Sequence, residues 1–345
     1  MRTLCTILLL TTIGAFAQGT SYSEEVKTTY REALSAIEQN NQEQATLQFE
    51  KCIRIDSTCF EAHIGLGKLA YAAGELEKTL LHCENAKTIR PFSPSLSGLM
   101  GRTYYLKSDY EKATSLLKRA ISTGENTVEN RLFLAQSLQY KGHLEEALIY
   151  LDELVQQDGK NANFYFSRGS LYMEMEALDK AIADFNAGIR FAPEEASAYI
   201  NLGKLYLTKG QDHLIPELIE KGLQYATANQ QVDLFILQGV YLQRQGNLNE
   251  AKVSYEKAYA LAPKNAIVLT HQGGVLVELE NYELAIEKCN QALAENRELT
   301  EAYFNRGIAK EMIRDIKGAC TDWEQAFLLG SQRAVEYLNG PICNE

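Results

Sequence analysis

The residue types best suited to chemistry gather between positions 52 and 83, which hold Cys52, Cys59, His63, His82 and Cys83. Thiolates and imidazoles are the ligands that a tetrahedral zinc ion takes. Compact zinc motifs bring their ligands in close pairs, and these spacings match none of them. Cys52, His63 and Cys83 also fall at positions that the pattern below assigns to a core. Buried packing, or a disulfide linking the first two structural units, fits them better than a metal. Nucleotide chemistry fares no better. Gly65-Leu66-Gly67 has neither a preceding strand nor a third glycine, and Gly273-Gly274 precedes no lysine–serine pair. There is no Gly-x-Ser-x-Gly and no His-Glu-x-x-His. The expectation is a chain without catalysis and without a cofactor.

The elements that position these residues are set by glycine. Gly67, Gly101, Gly169, Gly203, Gly239, Gly273 and Gly307 are separated by 34, 68, 34, 36, 34 and 34 residues, and Ala135 fills the skipped step. A unit of that period cannot bury its apolar face alone, so several must stack. With the glycine at position 8, units begin at Val26, Phe60, Pro94, Val128, Ala162, Ala196, Val232, Ala266 and Thr300. Position 20 is then small in most units (Ala45, Ala113, Ala147, Ala181, Ala251, Ala285, Ala319). Position 24 is bulky in most (Phe49, Leu117, Leu151, Phe185, Ile219, Tyr255, Trp323), and position 32 is proline at Pro91, Pro193 and Pro263. Small residues let two antiparallel helices approach, and the bulky one fills the gap between them. Proline stops the second helix. Turn signals such as Ala73-Gly74-Glu75, Lys141-Gly142-His143 and Gln245-Gly246-Asn247 separate the two helices of a unit. No strand signal appears.

This pattern resembles the tetratricopeptide repeat (TPR) family, and the resemblance runs from residue 26 to about 333. The fifth unit carries it most fully, with Tyr165, Gly169, Tyr172, Ala181, Phe185 and Pro193, departing at Arg168 where an aliphatic is usual. The resemblance implies an all-α, right-handed superhelical solenoid of about nine helix–turn–helix repeats with a C-terminal capping helix. The domain reading is a signal peptide at 1–17, a short segment at 18–25, nine repeats at 26–333 and a capping helix with tail at 331–345. In the sixth unit Pro216 falls inside the usual second-helix region, ahead of an insertion near Asn229. A longer loop with a delayed helix start is the plain reading; a break in pitch that shapes a cleft is the sharper one.

In the family, positions 2, 5, 6, 9, 12 and 13 of each unit face a groove. Here they place Lys68, Arg102 and Lys204 at position 9, Asn201 and Asn305 at position 6, and Tyr71, Tyr105, Tyr140 and Arg244 at positions 12 and 13. A basic and aromatic lining suits an extended acidic peptide or a terminal carboxylate. An unspecialised solvated face is the competing reading, and the carboxylate clamp of chaperone-binding members is not reproduced. Beyond the last repeat, Ser331 to Asn339 reads as a helix running back along the ninth unit. At ~1.5 Å per residue, it returns Cys343 to the height of Cys320, so these two are a disulfide candidate.

The N-terminus reads as a secretory signal: Arg2, an apolar run from Leu4 to Ile13, then Ala15-Phe16-Ala17. Its run is too short to span a bilayer. Cleavage removes Cys5 and leaves six cysteines of seven. The expected location is outside the cytoplasm, periplasmic or extracellular, with no membrane insertion of the mature chain. A net charge of −11 argues against nucleic acid and anionic membranes as partners. The function expected is an exported scaffold that binds a protein or extended peptide. The alternatives are an enzyme whose site is built on the repeat surface, and an accessory subunit of a cell-envelope assembly or export machine.

Overall fold

The computed structural model describes residues 22–343; the expected signal segment 1–17 and residues 18–21 lie outside the described residues. Among the described residues the regular structure is helical throughout. The chain divides into two compact units, one ending at Met175 and one starting at Glu176. The first holds α1 (Glu24–Glu38), α2 (Gln42–Ile55), α3 (Phe60–Ala72), α4 (Leu76–Ile89), α5 (Pro94–Leu106), α6 (Tyr110–Ser122), α7 (Val128–Tyr140), α8 (Leu144–Gln157) and α9 (Ala162–Glu174). The second holds α10 (Leu178–Phe191), α11 (Ala196–Lys209), α12 (Ile215–Tyr225), α13 (Ala228–Arg244), α14 (Leu248–Leu261), α15 (Ala266–Glu278), α16 (Tyr282–Glu295), α17 (Thr300–Met312), α18 (Ile316–Leu328) and α19 (Gln332–Leu338). Within each unit a helix packs mainly on its chain neighbours, the helix–turn–helix stacking that the glycine period predicts.

The columns of the repeat act as spacers. A Cβ at Gly101 would sit 2.7 Å from Leu117, one at Gly239 2.3 Å from the Tyr255 ring, one at Gly273 2.5 Å from the Cys289 sulfur and one at Gly307 2.4 Å from the Trp323 ring nitrogen. In all four the neighbour is the position-24 residue of the same repeat, so the two columns meet across the helix pair. Gly203 departs from this: its Cβ would meet Leu237 of the following repeat at 2.3 Å.

Position 15, in the turn between paired helices, is left-handed in every repeat. Gly74, Gly142, Gly210 and Gly246 hold it in four, while Asn40, Ser108, Glu176, Glu280 and Arg314 hold it in five, with φ from 56° to 77°. The turn geometry is therefore invariant although the residue is not.

The sixth repeat shows why Pro216 is tolerated. A 3₁₀ turn (Asp212–Leu214) precedes α12, and Pro216 stands in the first helical turn, where its missing N–H costs nothing. The second helix starts late, as the plain reading holds. The insertion is taken up by α13, which begins at Ala228 and is capped by a reciprocal Thr227–Gln230 box. At the C-terminus α19 lies against α18 with Tyr337 packed on Trp323 (ring centroids 4.7 Å) and edge-on to Phe304 (5.2 Å). Cys320 of α18 and Cys343 of the closing 3₁₀ turn are disulfide-bonded, with Cα atoms 5.7 Å apart.

Candidate binding grooves

In the second unit the first helices of successive repeats leave a cavity of about 620 Å³. Ile267, Thr270, His271, Gly274, Val277 and Glu278 of α15 line it, which are positions 2, 5, 6, 9, 12 and 13 of the eighth repeat. All six positions that the family resemblance assigns to a groove thus share one concavity. α17 closes the far side with Asn305 and Ile308, α13 contributes Gln243, and Arg333 reaches in from α19. Gly274 makes the space. Where other repeats carry Lys68, Arg102 or Lys204 it has no side chain, and the Asn305 amide nitrogen would lie 3.0 Å from a Cβ there.

The apolar lining comes from Ile267, Val277, Leu299 and Ile308, and the acidic lining from the exposed Glu278, Glu298 and Glu301. Arg333 is the one cation of the lining; it pairs with Glu301 at 3.3 Å and lies over the Phe304 ring at 4.2 Å. Glu278 accepts a hydrogen bond from the Gln243 amide. His271 stacks on Tyr255 at 5.2 Å, and burial lowers its pKa, so the imidazole stays neutral near pH 7. The groove's charge therefore comes from carboxylates.

In the first unit the predicted cations are engaged within the fold. Arg102 is buried, 7% exposed; its guanidinium pairs with Glu129 at 3.1 Å, donates to Asn130 Oδ1 at 2.7 Å, and lies 5.6 Å from the Tyr71 ring. Asn130 in turn donates to the Glu125 carbonyl at 2.8 Å. Lys68 faces the same carboxylates: burial lowers its pKa while Glu125 and Glu129 oppose the shift. This cluster braces α3, α5 and α7. Tyr105 and Tyr140 belong to an aromatic group with Tyr110 and Phe133, in which Tyr110 and Tyr140 stack at 4.4 Å and Tyr105 meets Phe133 edge-on at 5.0 Å. Tyr140 is 63% exposed, and burial pushes the Tyr105 hydroxyl up to about 12.

Of the remaining residues, Arg244 donates to the Leu207 carbonyl at 2.6 Å and pairs with Asp212 at 3.6 Å, anchoring the 3₁₀ turn of the sixth repeat. Lys204 and Asn201 stand on α11, the lysine exposed. The structure thus gathers Lys68, Arg102, Tyr105 and Tyr140 along the first helices of one unit and sets Asn305 in the cavity of the other. An acidic lining at the eighth repeat was not anticipated, although Gly274 at a column otherwise held by long side chains signals the opening. Among the described residues no group of three or more His, Cys, Asp or Glu is arranged to hold a metal. His63 and His82 stand with ring centroids 6.0 Å apart, and burial lowers the pKa of both.

Comparison with known proteins agrees with this architecture. A family profile described as TPR repeat matches residues 169–210, and one described as tetratricopeptide repeat matches 236–299. A crystal structure of a tetratricopeptide repeat protein from Parabacteroides merdae superposes with a TM-score of 0.59 at 19% identity, over 70% of this chain and 95% of that one. The chain is a tetratricopeptide repeat protein. The Cut9–Hcn1 assembly of the anaphase-promoting complex contains a chain of the same fold (TM-score 0.52, 14% identity, covering 89% of this chain and 67% of that chain). Among curated proteins, YpiA of Bacillus subtilis, a TPR repeat-containing protein, is 22% identical over 311 residues, 89% of this chain and 72% of its own length. Human protein O-mannosyl-transferase TMTC1 is 24% identical over 235 residues, 67% of this chain but only 26% of the human protein. This TPR chain thus matches about a quarter of the length of that relative.

Proposed function

We propose that this TPR protein is a binding scaffold without catalysis of its own, and that the groove of the eighth and ninth repeats holds an extended segment of a partner protein. The observation that carries the reading is the cavity that six groove positions of α15 line together, with apolar side chains among carboxylates. Asn305 lies across it from Gly274, an amide placed to meet a peptide backbone. Three carboxylates against one arginine favour a segment with an apolar side chain flanked by Lys or Arg, so this groove takes a basic segment where the sequence pointed to an acidic one. Arg102 and Arg244, engaged with Glu129 and Asp212, do not oppose that preference.

The same reading places the protein outside the cytoplasm, with residues 1–17 removed as a signal. Arg2, the apolar run and Ala15-Phe16-Ala17 support export, and the Cys320–Cys343 disulfide suits an oxidising compartment.

Selection of a random-peptide library on the full chain tests the groove. Enriched peptides carry an apolar residue beside Lys or Arg, and their binding weakens in high salt. Gly274→Leu fills the cavity and removes the enrichment, whereas Val253→Ser, at an exposed position of α14, leaves it in place. Enrichment that survives Gly274→Leu refutes the groove. N-terminal sequencing of the protein from its native cells tests export, which requires a mature end close to Gln18.

A further inference from the structure

Two thiols outside the groove meet at the join of the first two repeats. Cys52 lies in the last turns of α2, Cys59 is the N-cap residue of α3, and both are 0% exposed. The Cys52 thiol has two acceptors in reach, the Val26 carbonyl at 3.7 Å and the Cys59 sulfur. The intervening turn is fixed. The Thr58 amide and hydroxyl bond the Asp56 carboxylate at 2.8 and 2.7 Å, and the Cys59 N–H donates to the Asp56 carbonyl at 3.1 Å. Both thiols therefore sit in one buried cluster, joined by a turn whose backbone is already ordered.

We propose that Cys52 and Cys59 are a disulfide-forming pair whose bond ties α2 to α3, and so the first repeat to the second. Closing the bond brings the two sulfurs to about 2 Å with Cα atoms within about 7 Å. Conditions that oxidise Cys320 and Cys343 act equally on a second pair already in contact. Cys83 and Cys289 differ: neither shares the buried cluster that holds Cys52 and Cys59, and they stand in separate repeats, so they are expected to stay reduced.

Bond formation is thiol–disulfide exchange. One thiolate of the pair attacks an organic disulfide R–S–S–R, forms a mixed disulfide with the chain and expels RS⁻. The second thiol gives up its proton as its sulfur attacks the chain-bound sulfur and expels the second RS⁻. The two cysteines lose two electrons, one disulfide gains them, and the two cysteine protons end on the two RS⁻. Tyr22 covers the site: its hydroxyl accepts from the Phe60 N–H at 3.2 Å and donates to Glu61 at 2.9 Å. Exchange therefore takes place during folding, before this strap is laid down.

The test refolds the full chain with glutathione disulfide, alkylates it in denaturant and maps its tryptic peptides. Trypsin cuts after Lys51, Arg54 and Lys68, so Cys52 and Cys59 leave on separate peptides unless joined. The expected result is a linked peptide 52–54 with 55–68, two hydrogens lighter than its parts, with Cys83 and Cys289 alkylated. Cys52→Ala and Cys59→Ala are each expected to abolish the linked peptide while the Cys320–Cys343 peptide remains. The Cys320–Cys343 bond is the internal control. If that bond has formed while Cys52 and Cys59 are both alkylated in the same molecules, the proposal is overturned. Chain taken unreduced from an oxidising secretory host gives the same readout without refolding.

Discussion

At the scale of single residues, two glycines in neighbouring helices test what the spacer column does. Gly307 faces the Trp323 ring nitrogen, 2.4 Å from where a Cβ would lie, and the indole is fully buried with no room to retreat. Gly274 faces only the amide end of Asn305 at 3.0 Å, beside an open cavity. Gly307→Ala should cost about 1–3 kcal/mol through overpacking. Gly274→Ala should be neutral or gain up to about 1 kcal/mol, because alanine is the better helix former. Urea unfolding of the two variants measures both, and equal losses would show that the gap between paired helices does not explain the column.

The helix pairs were legible in the sequence because their cause is periodic. Glycine at position 8 and a bulky residue at position 24 must meet once two helices lie antiparallel, and the starts of α3, α5, α7, α9, α11, α15 and α17 coincide with the repeat starts. The groove was legible only as a set of positions. Which charges remain available depends on rotamers and on partners one repeat away, and no spacing rule links Arg102 to Glu129 and Asn130. The stacked Tyr110–Tyr140 pair was hidden for a similar reason, since Tyr110 belongs to a second helix that the groove positions do not cover.

Elements carry two further predictions. The turn column places Arg314 at φ 69°, a conformation in which a Cβ crowds the following carbonyl. Arg314→Gly should therefore stabilise the ninth repeat by up to about 1 kcal/mol, after glycine's larger entropy loss is subtracted. The reverse change, Gly246→Ala at φ 76°, should destabilise by a similar amount. Thermal unfolding resolves both signs. The α19 cap is tied by a disulfide spanning 23 residues. Reduction should lower stability by on the order of 3 kcal/mol. It should also open α19 to trypsin at Arg333, whose side chain is 64% exposed and held by a surface ion pair with Glu301 and by the Phe304 ring. If Arg333 is cut equally fast in oxidised and reduced protein, the cap is held by Tyr337 packing and not by the disulfide.

At the scale of the molecule, the stacking pattern decides how far damage travels. Helices here touch mainly their neighbours in the chain, so stability is close to a sum of repeats and the interfaces joining them. Asp322 offers a lesion of known place. It is 2% exposed, accepts from two of the three Arg306 guanidinium nitrogens at 2.8 and 2.6 Å, and holds the Lys310 ammonium at 2.9 Å. Asp322→Ala strands two cations against a buried face and should cost about 3 kcal/mol, roughly a hundredfold in local opening. Hydrogen exchange should accelerate by about that factor in α17 and α18, and by less in α15, α16 and α19. Helices α1 to α4 should keep their protection, because no chain of packed neighbours carries the loss that far undiminished. Uniform acceleration from α1 to α19 would instead mean that the protein opens as one cooperative body, and the sum-of-repeats account would fail.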